Sequence, residues 1–331
     1  MLLHRNGPLI VALSAFCVSC SPKFAEPDTS AIDQALVERV ISTLAADDMR
    51  GRQAFTDDAL RAAYFLADEF RDAGLVALDG AAGHLQRFNV HSTALDNATV
   101  TVDEVELSED RFAIRTDAPS LAWSSGDAAV SWVGPGTNAQ QILGNALESG
   151  SDALVLFDES QAEAFRAYAG FFRRPLRSVS AAGGASVVIA LTNADPSATY
   201  AVSATTSVTE EPLVNVVGLV PGRRSDEFVL FSAHYDHIGI RPEVAGDSIA
   251  NGANDDASGT TAVVALAKYF ASRGTPERTL LFAAFTAEEG GGYGSQYFST
   301  QLDANQVVAM FNIEMIGKPA VSGPNTAWIT G

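Results

Sequence analysis

The strongest constraint on this chain is a rhythm in its last third, where short apolar runs are each closed by a polar cluster. Leu213–Val220 stops at Pro221-Gly222. Phe228–Ala233, almost continuously apolar, runs into His234-Tyr235-Asp236, and Thr279–Phe285 runs toward Glu288-Glu289-Gly290. Val307–Ile313 ends on Glu314. Runs this short and this apolar fit buried strands of a sheet covered on both faces. Between them, Val263, Leu266, Ala267 and Phe270 recur at helical spacing within Ser258–Ser272, and Gly274 provides the stop. Strand–helix alternation predicts an α/β fold with a mostly parallel, twisted sheet and helices on both faces. In such sheets reactive groups gather beyond the carboxyl ends of the strands. The pattern therefore predicts that His234, Asp236, the Asn254-Asp255-Asp256 loop, Glu288, Glu289 and Glu314 share one edge.

Upstream the signals are sparser. Ala31–Leu44 reads as a helix, and Asp57 to about Ala73 as another, with Leu60, Ala63, Tyr64, Ala67 and Phe70 on one face and Gly74 as the stop. Leu85–Val90 reads as a strand. From Asp110 to Thr209, short apolar runs (Ala129–Val133, Ala153–Phe157, Ala185–Leu191) alternate with Gly, Ser, Thr and Asp, and no catalytic residue types cluster. The chain thus divides into a leader (1–20), the N-terminal part of the main domain (21–109), an inserted small α/β or β-rich domain (110–209) and a chemistry-bearing core (210–331).

The leader argues for export. His4 and Arg5 precede the apolar Leu9–Val18, a run too short to span a bilayer, and a polar, Pro-containing stretch follows. Val18-Ser19-Cys20 resembles a bacterial lipoprotein cleavage box, with Cys17 where that box usually has Leu; a lipid anchor on Cys20 and simple secretion to the periplasm or medium both remain open. The only cysteines, Cys17 and Cys20, lie in this segment, so the rest of the chain has no internal disulfide. A net charge of −19 without a basic stripe argues against a nucleic-acid partner. Oligomeric state is not readable.

One imidazole and several carboxylates on one sheet edge would repel one another and raise each other's pKa. A bound dication resolves this, and a mixed His and carboxylate set suits zinc, with manganese or cobalt as alternatives. Each piece taken alone has a plainer reading. His-x-Asp is usually a surface pair, Asn-Asp-Asp-Ala-Ser-Gly a turn and helix cap, and Glu-Glu-Gly a solvated loop. Their ordered recurrence at successive strand ends favours the metal.

The segments Ala233–Asp236, Gly252–Gly259, Phe285–Gly290 and Asn312–Gly317 resemble the metal-site motifs of the co-catalytic zinc aminopeptidases. That family includes bacterial leucyl aminopeptidases, aminopeptidase Y, glutamate carboxypeptidase II and the glutaminyl cyclases. Asn215-Val216-Val217-Gly218 and Gly294-Ser295 are similar too. The resemblance is strong from Leu213 to Gly331 and looser over Ala31–Val90. The insert is placed like the protease-associated domain of many members. The resemblance implies a peptide substrate and a zinc pair, with one or two ions held here. His234 and Glu314 would bind one zinc, Asp255 would bridge, and Glu289 would bind the other. Glu288 would be the general base, and Asp236 would hold His234.

Two departures stand out. Glu314 occupies a position where the family usually has Asp, a longer carboxylate with the same donor atoms. The family also draws a further His from beyond that position, whereas this chain has none after His237 and ends at Gly331. Ala327–Thr330 has the pattern of a strand, so the chain reads as C-terminally truncated. His237, beside Asp236, reads as a pocket or loop residue that can substitute for that ligand. A metallo-β-lactamase-type signature fails at Ser232. A binding-only or catalytically impaired relative is the alternative to an active exopeptidase.

Overall fold

The computed structural model describes residues 32–180, 183–323, 326 and 328–330. The leader expected in residues 1–20, with Cys17 and Cys20, lies outside them. The helices are α1 (Gln34–Leu44), α2 (Asp57–Asp72), α3 (Ala139–Glu148), α4 (Ala162–Phe172), α5 (Ser258–Ala271) and α6 (Tyr293–Thr300). Local chemistry sets the first two starts. Asp33 accepts from the Leu36 amide at 2.6 Å, and Thr56 caps α2, whose first turn carries Asp57 and Asp58. None of the helices among the described residues is long and apolar enough to cross a membrane.

A 9-stranded sheet forms the backbone of the fold. Its main path runs Val307–Asn312, Arg224–His234, Arg278–Phe285, Tyr200–Val220, Leu85–Val102 and Val105–Glu106. Arg224–His234 pairs in parallel with both neighbours, because α5 crosses over between it and Arg278–Phe285. The other pairings in this sheet are antiparallel. The α/β class read from the sequence holds, but the sheet is mixed, and parallel character is confined to the strands that carry the site. The reason lies in the long strands Leu85–Val102 and Tyr200–Val220. They bracket residues 103–199 as the two arms of a hairpin, with Leu85 opposite Val216 and Val102 opposite Tyr200, and such arms must run antiparallel.

Helices cover both faces. On one, Val40 and Leu44 of α1, Leu66 and Phe70 of α2, and Val263 and Ala267 of α5 pack on Val216, Ala233, Phe282 and Ala284. On the other, Phe298 of α6 packs on Val217, Leu281, Ala283 and Phe285. The period-two alternation along Arg278–Phe285 divides its side chains between these layers. Each large side chain removed from water contributes about 1.5–3 kcal/mol.

Three expectations change. Tyr64 is 47% exposed rather than on the packed face of α2, and its hydroxyl accepts from Arg87 at 3.0 Å. Val307–Asn312 is not a buried strand. It pairs on one side only, leaving Val308 48% and Phe311 52% exposed. Of the strand expected at Ala327–Thr330, the described residues 328–330 carry no regular structure, and Trp328 is exposed.

Within 110–209, a 4-stranded sheet orders Phe112–Arg115, Val187–Leu191, Ala153–Phe157 and Ala129–Val133. Leu143 of α3 and Phe165, Ala169 and Phe172 of α4 cover one face. The other face packs on Val100, Val102, Tyr200, Val202 and Ala204 of the two long strands.

Candidate metal centre

The site forms where the parallel strands end. His234 is the last residue of Arg224–His234, and its partner in register, Phe285, is the last of Arg278–Phe285. The loop after the first strand therefore meets the Glu288-Glu289 loop after the second. Asp255 enters from the turn before α5, and Glu314 from beyond the edge strand.

His234 is 3% exposed. Its Nδ1 lies 3.1 Å from the carbonyl oxygen of Asp236 and 3.7 Å from Asp236 Oδ1. Nδ1–H is thus engaged, and the second nitrogen faces the cluster. His234 Nε2 comes within 3.1 Å of Asp255 Oδ1 and 3.9 Å of Glu288 Oε2. Neither approach has hydrogen-bond geometry, so this buried nitrogen has no hydrogen-bond partner among the described residues. A buried, unpartnered imidazole nitrogen facing carboxylates is the donor arrangement a divalent cation requires.

Two sets of donor atoms lie within 4.8 Å of one another: His234, Asp255 and Glu314, and then His237, Asp255 and Glu289. They share Asp255. The structure therefore brings His234, Asp255, Glu289 and Glu314 together at one sheet edge. It also adds His237, whose Nδ1 lies 2.6 Å from Glu289 Oε1. The sequence signal for His237 was its place two residues past Tyr235, on the same strand-end loop as His234.

Asp236, wholly buried, accepts the Glu288 amide on Oδ1 at 3.0 Å. It joins His234 to the loop bearing Glu288 as well as holding His234. Asp256 is a further buried member that sequence reading placed only in the loop. Its Oδ1 accepts from Gly259 and Met315 amides at 3.0 Å each, and its Oδ2 from the His234 amide at 3.4 Å. One carboxylate thus ties together the start of α5, the strand end at His234 and the residue after Glu314. Gly259 permits this closeness, since a Cβ there would lie 2.0 Å from the Ile313 carbonyl. Asn215, also wholly buried, accepts the Thr286 amide at 3.2 Å and donates to the Gly294 carbonyl at 2.9 Å, which shapes the Glu288 loop.

Electrostatics match this crowding. Burial opposes a charge on His234, but the hydrogen bond and field of Asp236, with Asp256 and Glu288, outweigh it and lift its pKa to about 9. Burial pushes Asp256 up to about 7 despite the amides it accepts. Burial likewise raises Glu288, with His234 opposing and Glu314 reinforcing. Without a cation, a proton on His234 offsets part of the negative charge; a dication would take over that role and displace the proton.

Residues 215–323 match the family model of Peptidase family M28. A protein of Leptosphaeria maculans named a probable zinc metalloprotease is 38% identical over 106 residues, 31% of this chain and 24% of that protein. Leucine aminopeptidase 1 of the same fungus is 33% identical over 111 residues, covering 31% of this chain and 28% of its own length. This chain therefore matches only about a quarter of the length of these relatives. Among solved structures, an aminopeptidase from Aneurinibacillus sp. strain AM-1 superposes with a TM-score of 0.46 at 18% identity, over 87% of this chain and 72% of that one. A zinc aminopeptidase from Bacillus subtilis gives 0.44 at 19%, over 86% and 70%. The stretch that matches the model of Peptidase family M28, residues 215–323, is the part of the chain that carries His234, Asp236, His237, Asp255, Asp256, Glu288, Glu289 and Glu314.

Proposed function

We propose that this chain forms the catalytic core of an exported, zinc-dependent exopeptidase, most simply an aminopeptidase that removes N-terminal residues from peptides. The carrying observation is the pair of donor sets sharing Asp255, with Glu288 within 3.9 Å of His234. Relatives named zinc metalloproteases and a leucine aminopeptidase support the metal and the reaction class. The leader pattern of residues 1–20 supports export.

The residues fit the metal, because an unpartnered imidazole nitrogen and several carboxylates form the mixed donor set zinc accepts. His234, Asp255 and Glu314 would hold one ion, and Asp255, Glu289 and His237 offer the second position. When bound, zinc lowers the pKa of water and polarises the peptide carbonyl. Asp236 fixes the His234 ring and, through the Glu288 amide, the height of the base. Glu288 coordinates in neither set. Its carboxylate, raised by burial, is free to take a proton from the attacking water and pass it to the leaving amine.

Leucyl p-nitroanilide, alone and N-acetylated, provides the test. The free-amine substrate should release nitroaniline, lose that activity with chelator and regain it with zinc, and the acetylated one should be inert. Chelator-insensitive turnover would sink the metal reading, and equal cleavage of both substrates the aminopeptidase reading.

A further inference from the structure

Beneath the metal centre lies a charged side chain that the proposed chemistry does not use. Arg52 is wholly buried, yet none of its hydrogen bonds goes to a carboxylate. Its Nε donates to the Tyr235 carbonyl at 2.7 Å, and its Nη1 to the carbonyls of Leu44 and, at 2.7 Å, Asn251. Nη2 donates to the Gly252 carbonyl at 3.0 Å. Tyr235 stands between His234 and Asp236, and Asn251-Gly252 leads into Asp255. The backbone of the same segment grips the same loop: the Arg52 carbonyl accepts the His237 amide at 3.3 Å, and the Gly51 carbonyl the Gly239 amide at 3.2 Å. Segments far apart in sequence, each carrying metal-site donors, are thus fastened to one planar cation. Arg52 itself has φ +47, which L-residues adopt only when their surroundings enforce it.

We infer that Arg52 is a positioning residue for the cation site: its guanidinium sets the spacing between the His234–His237 strand end and the Asp255 loop, and its fixed charge lies behind the aspartates. The inference rests on the cation-site reading above. A guanidinium suits this task because its donors leave in fixed planar directions toward several carbonyls, whereas a lysine presents one flexible point of charge. Asp255 is the carboxylate common to both donor sets, so a shift of the Asn251–Asp255 loop would degrade both together.

The test uses the whole chain stripped of metal and titrated with Co²⁺ and Zn²⁺ by calorimetry, with the visible cobalt spectrum as the geometric readout. Arg52→Lys should fold and melt within a few degrees of the parent. It should bind both ions at least about tenfold more weakly, with altered cobalt bands, as expected when a supporting contact of a ligand is lost. Arg52→Met, which also removes the charge, should lose more. Val40→Ala, in the same apolar core but away from the site, should lower the melting temperature and leave affinity and spectrum unchanged. If Arg52→Lys does not accumulate as folded protein, Arg52→Gln reads the same linkage, since it keeps a planar donor group but cannot reach all of the carbonyls that the guanidinium holds. Parent-like affinity and spectrum in a folded Arg52→Lys or Arg52→Gln would overturn the inference. So would failure of both variants to fold, because a positioning role leaves the metal-free fold standing. A parent protein that binds neither ion would remove the cation-site reading itself, and this inference with it.

Discussion

The metal-bearing core and the 110–209 stretch share an architecture of short buried strands under helices, but their interiors differ in chemistry. In the second, the buried polar groups are paired: Thr116 and Ser186 share a hydrogen bond of 2.7 Å, and no charged side chain is buried among its described residues. In the first, Arg52, Asp236 and Asp256 are all 0% exposed. The buried polar atoms without a hydrogen-bond partner among the described residues, His234 Nε2, Asp236 Oδ2, Asn254 Oδ1 and Thr286 Oγ1, all belong to the core as well. Unsatisfied buried polar atoms cost free energy. Their concentration at one sheet edge marks where the fold gives up stability for chemistry, and the well-satisfied 110–209 stretch shows that this sequence can avoid that cost elsewhere.

Variants can break or sharpen this contrast. Glu288→Gln has the largest expected effect, a fall in kcat of about 10²–10⁴-fold with bound zinc unchanged by elemental analysis. Turnover within a few-fold of the parent would show that another group moves the proton. In the 110–209 stretch, Phe157→Ala removes a fully buried ring and should cost about 3–5 kcal/mol in chemical denaturation, with cation affinity untouched. A parallel loss of affinity would show that the two interiors are not separable. His237→Ala should weaken a second cation by about 10–100-fold in calorimetry and spare the first. Equal loss of both, or of neither, would remove His237 from the second donor set.

The most gradual effect is that of pH. Because the pKa of His234 is raised to about 9 in the metal-free fold, the stability its proton contributes is complete below about 6.5, the ordinary histidine value, and is lost as pH rises through 9. Asp256, raised to about 7, acts in the same direction at lower pH, since its ionisation progressively disfavours the fold between its ordinary value and about 7. The metal-free protein should therefore melt at lower temperature as pH increases toward 9. A cation competes with the His234 proton, so its affinity should rise, by about tenfold per pH unit, over the range where His234 is protonated. Affinity independent of pH there would mean that His234 is not a ligand.

Much of this was legible in the sequence because the donors sit at the ends of apolar runs, and local pattern alone marks both. The strands Ala129–Val133 and Ala153–Phe157 fall on the residues read from their composition. What stayed hidden depends on distant partners. Leu85–Val102 runs well past Val90 because Tyr200–Val220 lies alongside it, although its middle is polar. Strand direction is decided by the connection, not by the strand, so the antiparallel half of the sheet left no local trace. Arg52 sits in a mostly polar stretch, Asp47–Arg52, with no local mark of burial; apart from Leu44, the carbonyls that hold it belong to residues some 180 to 200 positions away. His237 reads as a pocket or loop residue able to substitute for a ligand, and the fold sets Glu289 beside it.

Zinc-edge anomalous diffraction from crystals of the zinc-loaded chain would examine the central claim most directly. The account predicts a peak bounded by His234 Nε2, Asp255 and Glu314, with a second between Asp255, Glu289 and His237 at higher zinc. Absence of density at the first position in zinc-saturated crystals, or a sole peak elsewhere on the molecule, would contradict it.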